Sequence, residues 1–408
     1  MESLKIAIAS DWFYPKVGGI EAHIDELARR LLSAGHEPYV ITHDYRYLRP
    51  YSDDFPYPVV RFPASVYLKK YHVSFGSSQF WRINEFYKEI NFDITHVHSI
   101  YSPLGVAVSK ISRGIRGVPV VATNHSFYGN PPLDPVIRPL VRHELKKVDT
   151  FIAVSTPVAE DTRRLLGDSI EGRPVFVVPN GIEVSRWRPP EPEEREKARE
   201  ELGIKDELAI LYVGRMTERK NAHKMPFILR EALKLGGIPK DRVKLLVVGD
   251  GPMRPVLEEN LLKTGIGEIT VMKNFVPRGE LLHLYWASDL VVVPGLLETF
   301  SVVALEAMAT GRPVVGHNGS GLSDVVSHGK TGLLSLNEKD MARNLALLLT
   351  DRELLVEMGF RARKRVERRF SWENVLKRLL RVYRVTLDVG SEVDRRYLFY
   401  KIMRRIDG

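Results

Sequence analysis

The segment Glu298–Glu306, ETFSVVALE, places two carboxylates about two helical turns apart at the head of an apolar run. Glu298 precedes the run and is expected to face a ligand. Glu306, inside it, can accept hydrogen bonds from a ribose diol, while backbone amides near Phe300, Ser301 and Val302 can cap a phosphate. The plainer reading of Glu306 is a partly buried residue paired with a nearby cation. Its helix face is otherwise apolar (Val302, Val303, Leu305, Met308), and a carboxylate there needs a partner, which favours a function.

Other segments add charge and backbone donors. In Gly214–Asn221, GRMTERKN, Arg215 and Lys220 follow a strand-like run and can converge on a diphosphate, neutralising the charge that grows as it leaves. Two solvated loop cations are the alternative. Pro15–Glu21, PKVGGIE, puts Gly18 and Gly19 at a strand-to-helix junction, where helix amides favour a phosphate or where the chain simply makes a tight turn. His125, in TNHSFYG, can touch a reacting sugar or serve as a structural loop residue. His96 and His98 have the look of a metal pair, but no third ligand can be placed from the sequence, so no metal is expected. The dinucleotide fingerprint GxGxxG is absent, since Gly249–Gly251 is followed by Pro252, and a nicotinamide cofactor is not expected.

The elements that must carry these groups alternate between short β-branched runs and amphipathic stretches. Strands are expected at Lys5–Ala9, Tyr39–Thr42, Val59–Phe62, Ile94–Val97, Pro119–Thr123, Thr150–Val154 and Val175–Val178, with helices at Ile20–Ala34, Leu104–Arg113 and Val136–Lys147. Continuous rather than alternating apolar runs indicate parallel strands buried on both faces. Pro179–Glu201 holds a turn, a proline cluster and a charged helix, and reads as a domain junction. A second series follows, with strands at Ala209–Val213, Lys244–Val248, Ile269–Met272, Leu290–Val293 and Pro313–Gly316, and helices at Ala222–Leu235 and Ser301–Ala309. The expected fold class is α/β, with two Rossmann-like doubly wound domains facing across a cleft. The expected boundaries are 1–180 for an acceptor domain, 181–370 for a donor domain, and 371–408 for C-terminal helices, beginning with Trp372–Leu387, that cross back to the first domain.

Composition narrows the class. The 408 residues carry 44% hydrophobic and 27% charged side chains, enough apolar material for two cores. Cysteine is absent, which excludes disulfides, thiolate metal sites and a cysteine nucleophile, and fits a reducing cytoplasm. No run reaches the roughly 18 apolar residues of a membrane span, and the N-terminus reads as a strand rather than a signal peptide. The net charge of +9 favours anionic partners: a nucleotide sugar, and peripheral contact with an anionic membrane on its cytoplasmic face. The densest basic run, Arg361–Arg369 between Phe360 and Phe370, reads first as a solvated helix face. No nucleic-acid motif accompanies it, so nucleic acid is not an expected partner.

Taken in order, the GG loop, the Asn124-His125 pair, PNGIE at the junction, GRMTERKN, VVGDGP and the E-x7-E element followed by AMATGRPVV resemble glycosyltransferase family 4, the retaining family with the GT-B fold. The likeness spans almost the whole chain. It implies that Glu298 holds hydroxyls of the donor sugar and Glu306 the ribose. Arg215 and Lys220 would bind the diphosphate with Gly19 near it, and His125 would lie beside the anomeric carbon. It also implies no metal or other cofactor, a UDP-sugar as donor, and retention of configuration with the leaving phosphate as base. The first forty-odd residues resemble the catalytic subunits of phosphatidylinositol N-acetylglucosaminyltransferases. That implies an inositol-phospholipid acceptor and N-acetylglucosamine as the sugar, although those subunits carry a membrane anchor near the C-terminus that has no counterpart here. The alternatives are a soluble carbohydrate or sugar-phosphate acceptor, a GT-B sugar-nucleotide epimerase, or a non-catalytic nucleotide-sugar-binding module.

Overall fold

A computed structural model describes residues 2–16, 18–44, 54–63, 66–68, 73–75, 77–100, 102–129, 134–167 and 172–390. The chain divides into two units: Met1–Pro179 together with the chain from Val375 onward, and Asn180–Asn374. The basic segment Arg395–Arg405 lies outside the described residues.

Unbroken apolar runs build the first sheet. Its unit comprises β1 (Lys5–Ser10), α1 (Gly19–Ser33), β2 (Glu37–Asp44), β3 (Val59–Pro63), a hairpin of β4 (Val66–Leu68) and β5 (Val73–Phe75), α2 (Ser77–Ile90), β6 (Ile94–His98), α3 (Pro103–Ser109), β7 (Val120–Asn124), α4 (Asp134–Leu145), β8 (Thr150–Ala153), α5 (Thr156–Leu166) and β9 (Val175–Val177). Seven strands pair in parallel in the order β3-β2-β1-β6-β7-β8-β9. β6 and β7 are buried at every position, as strands covered on both faces must be. The strand order reverses between β1 and β6, and in such sheets a ligand binds beyond the carboxyl ends at that point. Ser10 pairs with His98 there, so the sequence after β1 and the end of β6 emerge side by side.

The second unit comprises α6 (Pro192–Glu200), β10 (Leu208–Val213), α7 (Met225–Gly236), β11 (Val243–Val248), α8 (Arg254–Thr264), β12 (Thr270–Lys273), α9 (Arg278–Ala287), β13 (Leu290–Val293), α10 (Val302–Ala309), β14 (Val314–His317), α11 (Leu322–Val325), β15 (Gly332–Ser335), α12 (Glu338–Thr350) and α13 (Arg352–Arg369). Its six strands run in parallel in the order β12-β11-β10-β13-β14-β15, with the reversal between β10 and β13. The core joins Ile210, Tyr212, Leu245 and Val292 of the sheet to Leu229 of α7 and Leu345 of α12.

Several expectations shift. The helix expected over Leu104–Arg113 is α3 followed by a π-helical turn, Lys110–Ile115. The helix expected from Ala222 begins with a separate 3-10 turn, Ala222–Lys224, before α7, whose first turn tolerates Pro226. The hairpin, α2 and β15 were not anticipated; β15 opens on a glycine and is only four residues long. α14 (Trp372–Gly390) starts in the second unit but packs from Val375 onward with the first. There the Tyr383 hydroxyl meets His96 Nδ1 at 2.8 Å, and Thr386 meets Thr150 at 2.5 Å.

The basic run of α13 is less solvated than its charge suggests. The Arg363 guanidinium donates to the carbonyls of Val184, Trp187 and Ala309, and that of Arg365 to those of Asp324 and Val325. Phe370 is buried, whereas Phe360 is exposed beneath Lys364.

Candidate active site

In the second unit, the loops after β10 and β13 leave the sheet on either side of the strand-order reversal. The first carries Arg215 and Lys220, the second Glu298. Lys220 Nζ donates to Glu298 Oε1 at 2.7 Å, with the carboxylate side chain 7% exposed and the amine 31%. Three features fix this pair. Asn221, at φ +54°, turns the chain after Lys220 and donates its amide to Pro294 O at 3.2 Å. The amide of Leu296 donates to Arg219 O at 3.2 Å, and that of Gly321 to Glu298 O at 2.7 Å. Gly295 leaves the space the carboxylate occupies, since a Cβ there would sit 2.8 Å from Glu298 Oε1. Arg215 is exposed.

The GDGP segment set aside as a dinucleotide site has a definite packing role. Gly249, at φ +133°, lies so close to Gly214 O that a Cβ would collide with it. A Cβ on Gly251 would approach Met216 O to 2.5 Å, and Met216 N donates to Asp250 O at 2.8 Å. The two glycines let the β11 loop lie directly on the backbone flanking Arg215.

Ser301 caps α10 with its Oγ, which accepts from Ala304 N at 3.3 Å. It does so at φ +77°, a left-handed conformation that costs a non-glycine residue of order 1–3 kcal/mol. Phe300 is buried against Phe370 and offers only its backbone, while Val302 is half-buried. Two turns on, Glu306 is buried, and both of its oxygens are engaged: Oε2 accepts from the Tyr285 hydroxyl at 3.0 Å and Oε1 from Arg278 at 3.2 Å. The nearby cation anticipated as the plainer reading is therefore Arg278. Burial raises the Glu306 carboxyl above its ordinary range, against the pull of Arg278 and Tyr285. A carboxylate has about four acceptor positions, so capacity for a diol remains.

In the first unit, His125 follows β7 and is buried rather than displayed on a loop. Its Nε2 lies 2.9 Å from His98 Nδ1, and the two rings stack with centroids 5.2 Å apart. His23, on α1, closes the group with centroids 5.6 Å from His98 and 5.4 Å from His125. His96 backs His98 at 4.2 Å, held by Thr123 Oγ1 and the Tyr383 hydroxyl. Burial drops His23 to about 4 and His96 to about 3, and holds His98 and His125 well below the usual imidazole value. The pair that the sequence suggested is not completed: His96 has both ring nitrogens engaged, and His98 groups instead with His23 and His125.

Asp11, directly after β1, is fully buried between His43 Nε2 at 2.9 Å and Leu104 N at 3.1 Å. Lys16 Nζ donates to Asp11 O at 3.2 Å, and burial lowers its amine to about 8. Gly18 and Gly19 are exposed at the start of α1. A Cβ on Gly18 would come within 2.5 Å of Glu21 Oε2, so the helix start already holds a carboxylate where a phosphate was expected. Beside this loop, Phe13 is fully buried against Tyr14 and Phe55. The exposed apolar side chains of this unit include Trp81 on α2, at 67%, and Leu140 on α4, at 65%.

His23, His98, Asp11, Gly295, Tyr285 and Arg278 were not singled out as site residues. The sheet order and the packing of α1 and α9 bring them in, and local spacing signals only His98, through its pairing with His96.

Two doubly wound parallel-sheet units with these topologies are the GT-B fold, and solved structures share it. Anabaena HepE in complex with UDP and glucose matches with a TM-score of 0.74 at 19% identity, over 94% of this chain and 100% of that one. Sucrose-phosphate synthase from Thermosynechococcus elongatus matches at 0.75 and 21%, over 93% and 98%. The profile "Glycosyltransferase Family 4" covers residues 17–186, and "Glycosyl transferases group 1" covers 194–365. The chain belongs to glycosyltransferase family 4 and is a glycosyltransferase. It is 32% identical to a D-inositol 3-phosphate glycosyltransferase of Nocardia farcinica, over 72% of this chain and 67% of that protein. Its identity to the alpha-monoglucosyldiacylglycerol synthase of Streptococcus pneumoniae is 28%, over 83% and 77%. Its identity to a phosphatidylinositol N-acetylglucosaminyltransferase subunit of Arabidopsis thaliana is 25%, over 98% and 85%.

Proposed function

We propose that this enzyme transfers N-acetylglucosamine from its UDP-sugar to an inositol phospholipid, with retention and without a metal ion. The observation that carries the donor reading is the Lys220–Glu298 pair at the strand-order reversal, with Arg215 exposed on the same loop. Arg215 and Lys220 neutralise the diphosphate as it leaves, the work a metal ion does in other enzymes of this chemistry. Glu298 accepts hydrogen bonds from the sugar hydroxyls and Glu306 from the ribose. His125 is assigned to the reacting sugar, as the family resemblance implies. As the C1–O bond to the diphosphate breaks, a leaving-phosphate oxygen takes the acceptor hydroxyl proton, and the new bond forms on the same face.

The acceptor reading draws on the relatives. Two of the three act by name on lipid-linked acceptors, and the third on an inositol phosphate. The net charge of +9 and the exposed Trp81 and Leu140 suit contact with an anionic lipid surface. No helix among the described residues is long and apolar enough to cross a membrane.

A donor and acceptor panel tests this. UDP release from UDP-N-acetylglucosamine, UDP-glucose and UDP-galactose is measured with phosphatidylinositol vesicles, diacylglycerol vesicles and inositol 3-phosphate. Fastest turnover with the first donor and the first acceptor is expected. Turnover confined to inositol 3-phosphate makes a soluble sugar-phosphate acceptor the better reading.

A further inference from the structure

We infer that His23, His98 and His125 form a binding site for a borderline transition-metal ion such as Zn2+, and that its occupancy blocks turnover. Each residue can bring one ring nitrogen within 4.8 Å of the nitrogens of the other two. They come from three different elements: α1, the end of β6 and the start of the loop after β7. The trio is therefore fixed by the fold of one unit and not by a mobile loop. Zinc–nitrogen bonds of about 2.0–2.1 Å in a tetrahedron place neighbouring nitrogens about 3.3 Å apart. Small rotations of the rings about Cβ close the remaining gap.

The donor chemistry points the same way. His98 Nδ1 faces His125 Nε2 at 2.9 Å, a hydrogen-bond spacing for a shared proton, which must open by about 0.4 Å to take a tetrahedral ion. His98 Nε2 is buried and has no hydrogen-bond partner among the described residues. A buried, unpaired ring nitrogen is costly unless something accepts its lone pair or its proton. Behind it, His96 is held by Thr123 and Tyr383 and limits how far the His98 ring can turn. Three imidazoles without a carboxylate select zinc, copper, nickel or iron over magnesium and calcium, which require oxygen ligands. Three protein ligands also leave one coordination position open to water or an acceptor hydroxyl.

An ion held there takes the lone pair of His125. The inhibitory consequence rests on the role proposed above for His125, whereas binding does not. The ion is not a catalytic cofactor: turnover is expected in its absence and lost in its presence.

The test titrates Zn2+ into the full chain by calorimetry and records zinc X-ray absorption of the one-to-one complex. One high-affinity site with three imidazole scatterers is expected. It should weaken by about tenfold or more in His23→Ala and in His98→Gln, and persist in a variant of the exposed His143. Turnover should fall with zinc at the same stoichiometry, recover with EDTA and ignore magnesium. Fewer than three imidazoles on the bound zinc, or undiminished affinity in both cluster variants, overturns the site. The absorption measurement needs no variant, so a misfolded substitution does not decide the matter. Zinc bound through three imidazoles with turnover unaffected upholds the site and removes His125 from the reaction.

Discussion

Lys220 Nζ and Glu298 Oε1 lie 2.7 Å apart, an ion pair joining the loop after β10 to the loop after β13. The cation assigned to the diphosphate and the carboxylate assigned to the sugar thus hold each other in position. Removing either disturbs both, so their effects are not additive. Lys220→Ala and Glu298→Gln are each expected to lower kcat by about 100–1,000-fold, the scale of losing one preorganised charge-stabilising group. The double variant should lose much less than the product of the two. Steady-state UDP release measures all three, and strictly multiplicative losses would show that the pair does not act as a unit.

Glu306 makes a separable contribution. Glu306→Gln is expected to weaken UDP binding by about 1–3 kcal/mol in calorimetry, the scale of a charge-assisted hydrogen bond. Because burial raises this carboxyl, the wild-type affinity should decline on the acid side at a pH above the ordinary glutamate value of about 4.3. The Gln variant should lack that decline. An unchanged affinity for UDP would leave Glu306 a structural partner of Arg278 and Tyr285.

The histidine cluster makes stability depend on pH. In the unfolded chain these groups titrate near 6.5, about the ordinary imidazole value, whereas burial holds folded His23 at about 4 and His96 at about 3, with His98 and His125 also depressed. The folded state therefore binds fewer protons. Stability from these groups is complete above about pH 6.5 and falls as pH drops below it, by up to about 1.4 kcal/mol per pH unit per histidine. Urea unfolding at pH 7.5 and 5.5 measures the difference. Equal stability at the two values would mean that the four rings protonate freely in the folded chain.

Much of this was legible beforehand because buried parallel strands announce themselves as continuous apolar runs. β1, β2, β10, β11 and β13 fall where those runs lie. The placement of Arg215, Lys220 and Glu298 was legible because each follows a strand, where doubly wound sheets present ligands. The His23–His98–His125 group was not, because its members lie on three separate elements and meet only through sheet order and the packing of α1. PNGIE was read as a junction, and its glycine answers to a distant residue, since a Cβ on Gly181 would lie 2.5 Å from the Trp372 ring.

Membrane contact has a sharper test than net charge alone. The chain should co-sediment with vesicles containing anionic lipid, less so in high salt, and only weakly with neutral vesicles. Trp81→Ala with Leu140→Ala should reduce the bound fraction without changing UDP affinity, because both side chains are exposed on the first unit. Equal binding to both vesicle types, or none to either, would favour a soluble acceptor.

Incubation with UDP-N-acetylglucosamine and phosphatidylinositol vesicles in excess EDTA, followed by product analysis by NMR, bears most directly on retaining, metal-independent sugar transfer. The expected result is an α-linked N-acetylglucosaminyl lipid formed in one-to-one ratio with UDP, at a rate that added magnesium or manganese does not raise. A β-linked product, a donor that is only epimerised or hydrolysed, or turnover that appears only when a divalent ion is restored would contradict it.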